Sequence, residues 1–80
     1  MYKSIFNSRK FARDVHNVRW GRGMRLQDVA DMFGFSKATA SRIESANVIL
    51  PIDKFLMICG VFGLDPVTYV EVKEFSEAQR

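Results

Sequence analysis

Apolar positions between residues 8 and 70 recur at helical spacing, and glycine or proline cuts the pattern into short segments. The first covers about residues 8–20, where Phe11, Val15 and Val18 form one stripe and Asn7 or Ser8 serves as N-cap. In the second, about residues 26–33, Leu26, Val29, Ala30, Met32 and Phe33 share one side of a helical wheel. Gln27, Asp28 and Asp31 take the other side, and Gly34 supplies the left-handed stop. The third starts behind the N-cap Ser36 and runs to residue 44 or 45, with only Ala40 and Ile43 as inward positions. The fourth opens with Pro51 at the first helical position and Asp53 in the first turn, and Gly63 closes it. Its Ile52, Phe55, Leu56, Ile58, Cys59 and Phe62 make it apolar nearly all round, which predicts a central core helix. Asp65-Pro66 opens a fifth short helix with Val67 and Val70 facing in. The expected fold is therefore all-α, a bundle of five short helices.

Val70 to Phe75 alternates with period two instead. That suits a short C-terminal strand, including one that pairs only across a dimer, or the end of the last helix; we expect the helix end. Residues 1–10 are expected as an N-terminal extension, 11–72 as the domain and 73–80 as a polar tail, with 76–80 unstructured.

Composition narrows the class. Eighty residues allow one small domain, and 48% apolar residues with seven Phe are too rich for a disordered chain. A single cysteine offers no internal disulfide and no metal-ligand cluster, which suggests a reducing, cytoplasmic setting. Met1 to Ser4 lead into no apolar signal region, and no run approaches the ~18 apolar residues of a membrane span. The net charge of +3 hides an asymmetry. Residues 1–44 carry nine basic and four acidic side chains, a net of +5, whereas residues 45–80 carry three and five, a net of −2. One half is suited to a polyanion.

The third segment localises that charge. With Ala40 and Ile43 turned inward, Lys37, Ala38, Ser41 and Arg42 collect on the opposite side, a face that is small or cationic and free of acids. Such a helix can approach a DNA major groove closely. Lys37 and Arg42 suit guanine O6 and N7, Ala38 suits a thymine methyl, and Ser41 suits either base. Taken alone, the same face also fits an ordinary solvated surface with two cations, the plainer reading.

Val29-Ala30, Gly34-Phe35-Ser36 and Thr39-Ala40-Ser41-Arg42-Ile43-Glu44 resemble the helix-turn-helix signature of the lambda-repressor/Cro family, also called the xenobiotic-response-element family. Phe11, Val15, Val18 and Arg19 resemble its first helix, and Pro51 with residues 55–64 its fourth, so about residues 11–70 are covered. The resemblance implies a recognition helix from Ser36 to about residue 45, with Lys37, Ala38, Ser41 and Arg42 reading bases. It implies phosphate contacts by Thr39 and, at the cap, Ser36. It also implies a structural ion pair between Arg19 and Glu44.

The departures redirect some roles. Leu26 stands where the family has a phosphate-binding glutamine, which leaves Arg25 and Gln27 as phosphate candidates at that helix start, with Arg22 nearby. The loop after the recognition helix lacks the family's glycine and basic residues; of Ala46 to Leu50, only Asn47 offers a phosphate contact. Val48, Ile49 and Leu50 either cover the core or form a dimer or partner surface. Elsewhere plain readings hold: His16 as a solvated side chain, Cys59, Met24, Met32 and Met57 as core, and Trp20 in core packing rather than base stacking. No catalytic constellation, metal site or cofactor motif appears.

These observations predict a sequence-specific, double-stranded-DNA-binding regulator without enzymatic activity, of prokaryotic or phage type. It would be a small Cro-like or immunity-type repressor that binds a palindromic operator as a homodimer. Alternatives are the DNA-binding antitoxin of a toxin–antitoxin pair, or a helix-turn-helix fold used only for protein contacts.

Overall fold

Helices form where apolar stripes and caps coincide. In the computed structural model, which describes residues 1–75, these are α1 (Ser8–Gly21), α2 (Leu26–Phe33), α3 (Lys37–Glu44) and α4 (Ile52–Phe62). Asn7 caps α1 by accepting the Lys10 backbone N–H at 3.1 Å, and Ser36 caps α3 by accepting that of Thr39 at 3.1 Å. The start of α2 lacks a capping oxygen at Arg25; the Asp28 carboxylate accepts the Arg25 backbone N–H at 2.7 Å instead. That bond, with the Arg25 side chain nearby, holds the Asp28 carboxyl below its usual range.

Each α-helix is followed by a residue in the left-handed region. Gly23, Gly34 and Gly63 take this role after α1, α2 and α4. After α3 it falls to Ala46, at φ 59°. Ala46 and Asn47 donate their N–H groups back to the carbonyls of Ile43 and Arg42 at 3.2 and 2.9 Å, a complete Schellman closure built on a residue with a Cβ. A left-handed L-residue costs roughly 1–2 kcal/mol relative to the right-handed helical conformation.

Two expectations of the all-α reading are corrected. The fifth segment is a single 3₁₀ turn, Pro66–Tyr69, capped by Asp65, whose carboxylate accepts the Val67 N–H at 3.1 Å. Beyond it the chain does not end as a helix. Val70–Glu74 forms strand β2, antiparallel to β1 (Tyr2–Phe6), with Tyr2 opposite Glu74 and Phe6 opposite Val70. Period-two alternation and β-branched Val70 and Val72 favour the extended form once a partner strand is present. That partner is the start of the same chain. The described residues are thus mostly helical, with four α-helices and a small two-stranded sheet. The tail expected at 76–80 lies outside the described residues.

The core is built from Phe11, Ala12 and Val15 of α1, Val29, Ala30 and Phe33 of α2, Ala40 and Ile43 of α3, and Phe55, Ile58, Cys59 and Phe62 of α4. Tyr69 closes it. A two-stranded sheet is marginal alone; here Phe6 anchors it, with its ring centroid 5.8 Å from Phe11 and 5.3 Å from Phe55. The Asn7 N–H also donates to the Tyr69 carbonyl at 2.7 Å. The Tyr69 hydroxyl donates to Asp14 at 2.7 Å, and burial followed by that bond pushes the phenol's pKa well above its usual value. Burial likewise raises the Cys59 thiol. Helix α4 is not enclosed on all sides, because Ile52, Leu56 and Val61 remain exposed. Met32, expected in the core, is also exposed: it lies at the edge of its stripe and no element covers it. No helix among the described residues is long and apolar enough to cross a membrane.

Candidate nucleic-acid interface

Ala40 and Ile43 seat α3 on the core, leaving Lys37, Ala38, Ser41 and Arg42 exposed along its outer side. Neither Lys37 nor Arg42 joins an ion pair among the described residues, so both charges stand uncompensated. Gly34, Phe35 and Ser36 make the turn from α2 into α3, and the Phe35 N–H closes α2 by donating to Ala30 at 2.8 Å.

What fixes α3 against α1 is an ion pair almost sealed from water. Arg19 Nε and Nη2 donate to the two carboxylate oxygens of Glu44 at 2.6 and 3.0 Å, and Nη1 donates to the Met24 carbonyl at 3.0 Å. The side chains are only 12% and 9% exposed. The two-pronged geometry suits a guanidinium and a carboxylate. It also commits the Arg19 charge to the fold rather than to a ligand.

His16 belongs to this group, which corrects its reading as a solvated side chain. Its Nδ1 lies 2.6 Å from Glu44 Oε1. A carboxylate only accepts hydrogen bonds, so Nδ1 carries the proton there, and its 3.3 Å approach to Arg19 Nη2 is a contact between two donors. His16 precedes Arg19 by three residues and so shares its helix face. That signal was present in the sequence; Glu44, arriving from another helix, was needed to give it meaning.

The phosphate candidates divide by what already holds them. Ser36 spends its oxygen on the Thr39 N–H and its proton on the Thr39 hydroxyl at 3.0 Å, so the two hydroxyls act together at the start of α3. Arg25 reaches Asp28 only at 3.4 Å on an exposed surface, a weak pair that leaves its guanidinium available. Gln27 donates to Asp31 at 2.9 Å. Arg22 is turned to the end of α4, donating to the Val61 carbonyl at 3.2 Å and lying 5.2 Å over the Phe62 ring. Asn47 is exposed beyond α3. Leu26 packs against the core, as its place on the wheel suggested.

The loop after α3 splits its apolar residues. Val48 and Leu50 pack against the core, whereas Ile49 is 97% exposed. Ile49 shares an apolar groove with Ile52, Phe6 and Val70. Trp20, expected in the core, stands 66% exposed at the end of α1, because the stripe of Phe11, Val15 and Val18 turns away from it. Among the described residues, no three His, Cys, Asp or Glu side chains are grouped as metal ligands. No family model matches the chain, and no curated protein or solved structure is detectably similar to it.

Proposed function

We propose that the protein is a double-stranded-DNA-binding transcriptional regulator, a small repressor of the lambda-repressor/Cro type. The observation that carries this reading is the outer face of α3: four exposed side chains, two of them uncompensated cations, on a short helix seated by Ala40 and Ile43. In this reading Lys37, Ala38, Ser41 and Arg42 read base edges in the major groove. Arg25, Gln27, Ser36, Thr39 and Asn47 set the register on the phosphates. Arg22, held at α4, contributes least.

One module of this size buries roughly 600–1,000 Å² of its own surface on DNA, so useful affinity calls for two copies with half-sites about 34 Å apart. The exposed apolar strip at Ile49 and Ile52 supports a homodimer. We propose no enzymatic role and no cofactor. The same strip favours a second reading, a DNA-binding antitoxin whose partner covers Ile49.

Selection of bound sequences from a random duplex pool at physiological salt tests the proposal. A two-fold symmetric motif is expected; absence of enrichment refutes sequence-specific binding. A stoichiometric protein that co-purifies with the chain would favour the antitoxin reading.

A further inference from the structure

The ends of α1, α2 and α3 that lie nearest one another enclose an open groove of about 580 Å³. Arg19, Arg25 and Lys37 line it together with Trp20 and Gln27, and no carboxylate does. Trp20 is the chain's single tryptophan, and it is 66% exposed. Its ring packs at a tilt against His16, with centroids 5.9 Å apart, and the Arg19 guanidinium lies 5.8 Å from the ring centroid. A large aromatic ring is not left in water by the needs of the core here, because Phe11, Val15 and the rest close it without Trp20. The ring is therefore a preformed surface beside the start of the candidate recognition helix, in a groove where Lys37 and the weakly paired Arg25 supply positive charge while that of Arg19 is already matched by Glu44.

We infer that this groove is a subsite for the sugar–phosphate backbone of duplex DNA, with Trp20 as a contact residue. This rests on the DNA-binding reading above. The bases of a duplex are already stacked on one another, so an aromatic ring outside the grooves meets deoxyribose instead. Its apolar face covers the sugar while the indole N–H donates to a phosphate oxygen. Arg25 and Lys37 flank the same phosphates and supply the charge. Trp20 thus adds affinity that does not depend on released counterions, whereas each cation adds affinity that does.

The test uses the full chain and a random-sequence duplex two helical turns long, at low salt where non-specific binding is measurable. Two signals are read: anisotropy of a labelled duplex, and emission of Trp20 with unlabelled duplex. Saturable change of the Trp20 emission, at the same midpoint as the anisotropy, is expected. Trp20→Ala should weaken binding about three- to tenfold, the range of one lost hydrogen bond with its contact surface. The slope of log affinity against log salt should stay unchanged, while Arg25→Ala should reduce that slope by about 1. Trp20→Phe should fall between wild type and Trp20→Ala.

Rising anisotropy with unaltered Trp20 emission, or unaltered affinity in Trp20→Ala, overturns the subsite while leaving DNA binding intact. Tighter binding and stronger quenching by a single strand of the same length would assign the ring to stacking on bases and overturn the duplex-backbone placement. Flat anisotropy with every DNA refutes the DNA-binding reading itself, and the subsite with it.

Discussion

Replacing Glu44 by Gln keeps the shape of the side chain and removes its charge. In the native protein the carboxylate accepts from Arg19 Nε at 2.6 Å, from Arg19 Nη2 at 3.0 Å and from His16 Nδ1 at 2.6 Å. A glutamine amide has one accepting oxygen and one donating nitrogen, so one side of the carboxamide must face N–H groups with N–H groups. The Arg19 guanidinium, 12% exposed, would keep only the Met24 carbonyl and part of one carboxamide. Removing one partner of a buried pair costs about 3–5 kcal/mol. His16 gives water an edge on the site, so we expect about 3 kcal/mol. An 80-residue domain has a total stability of roughly 4–12 kcal/mol at ~0.05–0.15 kcal/mol per residue, so this loss is a large share of it. Urea unfolding followed by far-UV circular dichroism should show a lower midpoint and an unchanged slope. Combining Arg19→Met with Glu44→Leu should recover most of the loss, since no charge is then left unpaired. A loss under about 1 kcal/mol for Glu44→Gln, the range of an exposed surface pair, refutes this account of how α3 is held on α1.

Ala46→Gly should stabilise the protein by about 0.5–1 kcal/mol in the same urea assay, because relief of the left-handed strain outweighs glycine's extra freedom in the unfolded chain. An unchanged or lower midpoint would argue against strain at the end of α3. The folded state raises the Tyr69 phenol above its ordinary value of about 10. Its contribution is complete below pH about 10 and is lost as pH rises beyond that, because the unfolded chain releases the proton first. Tyr69→Phe should flatten that alkaline loss and, at neutral pH, cost about 1–2 kcal/mol through the missing bond to Asp14; a mutant that titrates like wild type contradicts it. Cys59 is buried with its thiol raised, so a thiol reagent should modify it only as fast as the protein opens. Rapid modification in native buffer would contradict the packing around α4.

The four helices were legible because each carries local signals that agree: apolar residues at helical spacing with, at one end or both, a capping side chain, a proline or a left-handed glycine. The sheet was not. Val70 to Glu74 alternates visibly, but its choice between strand and helix end depended on Tyr2–Phe6, a partner some seventy residues away with no alternation of its own. Asp65-Pro66 announced a helical turn, yet β-branched Val67 and Thr68 carry it only through one 3₁₀ turn. The wheel of α3 named its outward residues correctly because Ala40 and Ile43 fix the inward direction without ambiguity. The same reasoning failed at Met32 of α2 and Trp20 of α1, which lie at stripe edges where exposure depends on which neighbour covers them. His16 shows the same limit: its face was readable, its partner Glu44 was not.

The central claim is that the outer face of α3 reads base edges. Its most direct test is to repeat the selection from random duplex DNA with Arg42→Ala alongside the wild type. The account predicts that both proteins enrich related two-fold motifs. The variant should lose preference at one base pair in each half-site, by about 1–3 kcal/mol, with non-specific affinity little changed. An identical motif from both proteins, or a loss spread evenly over all sequences, would contradict it.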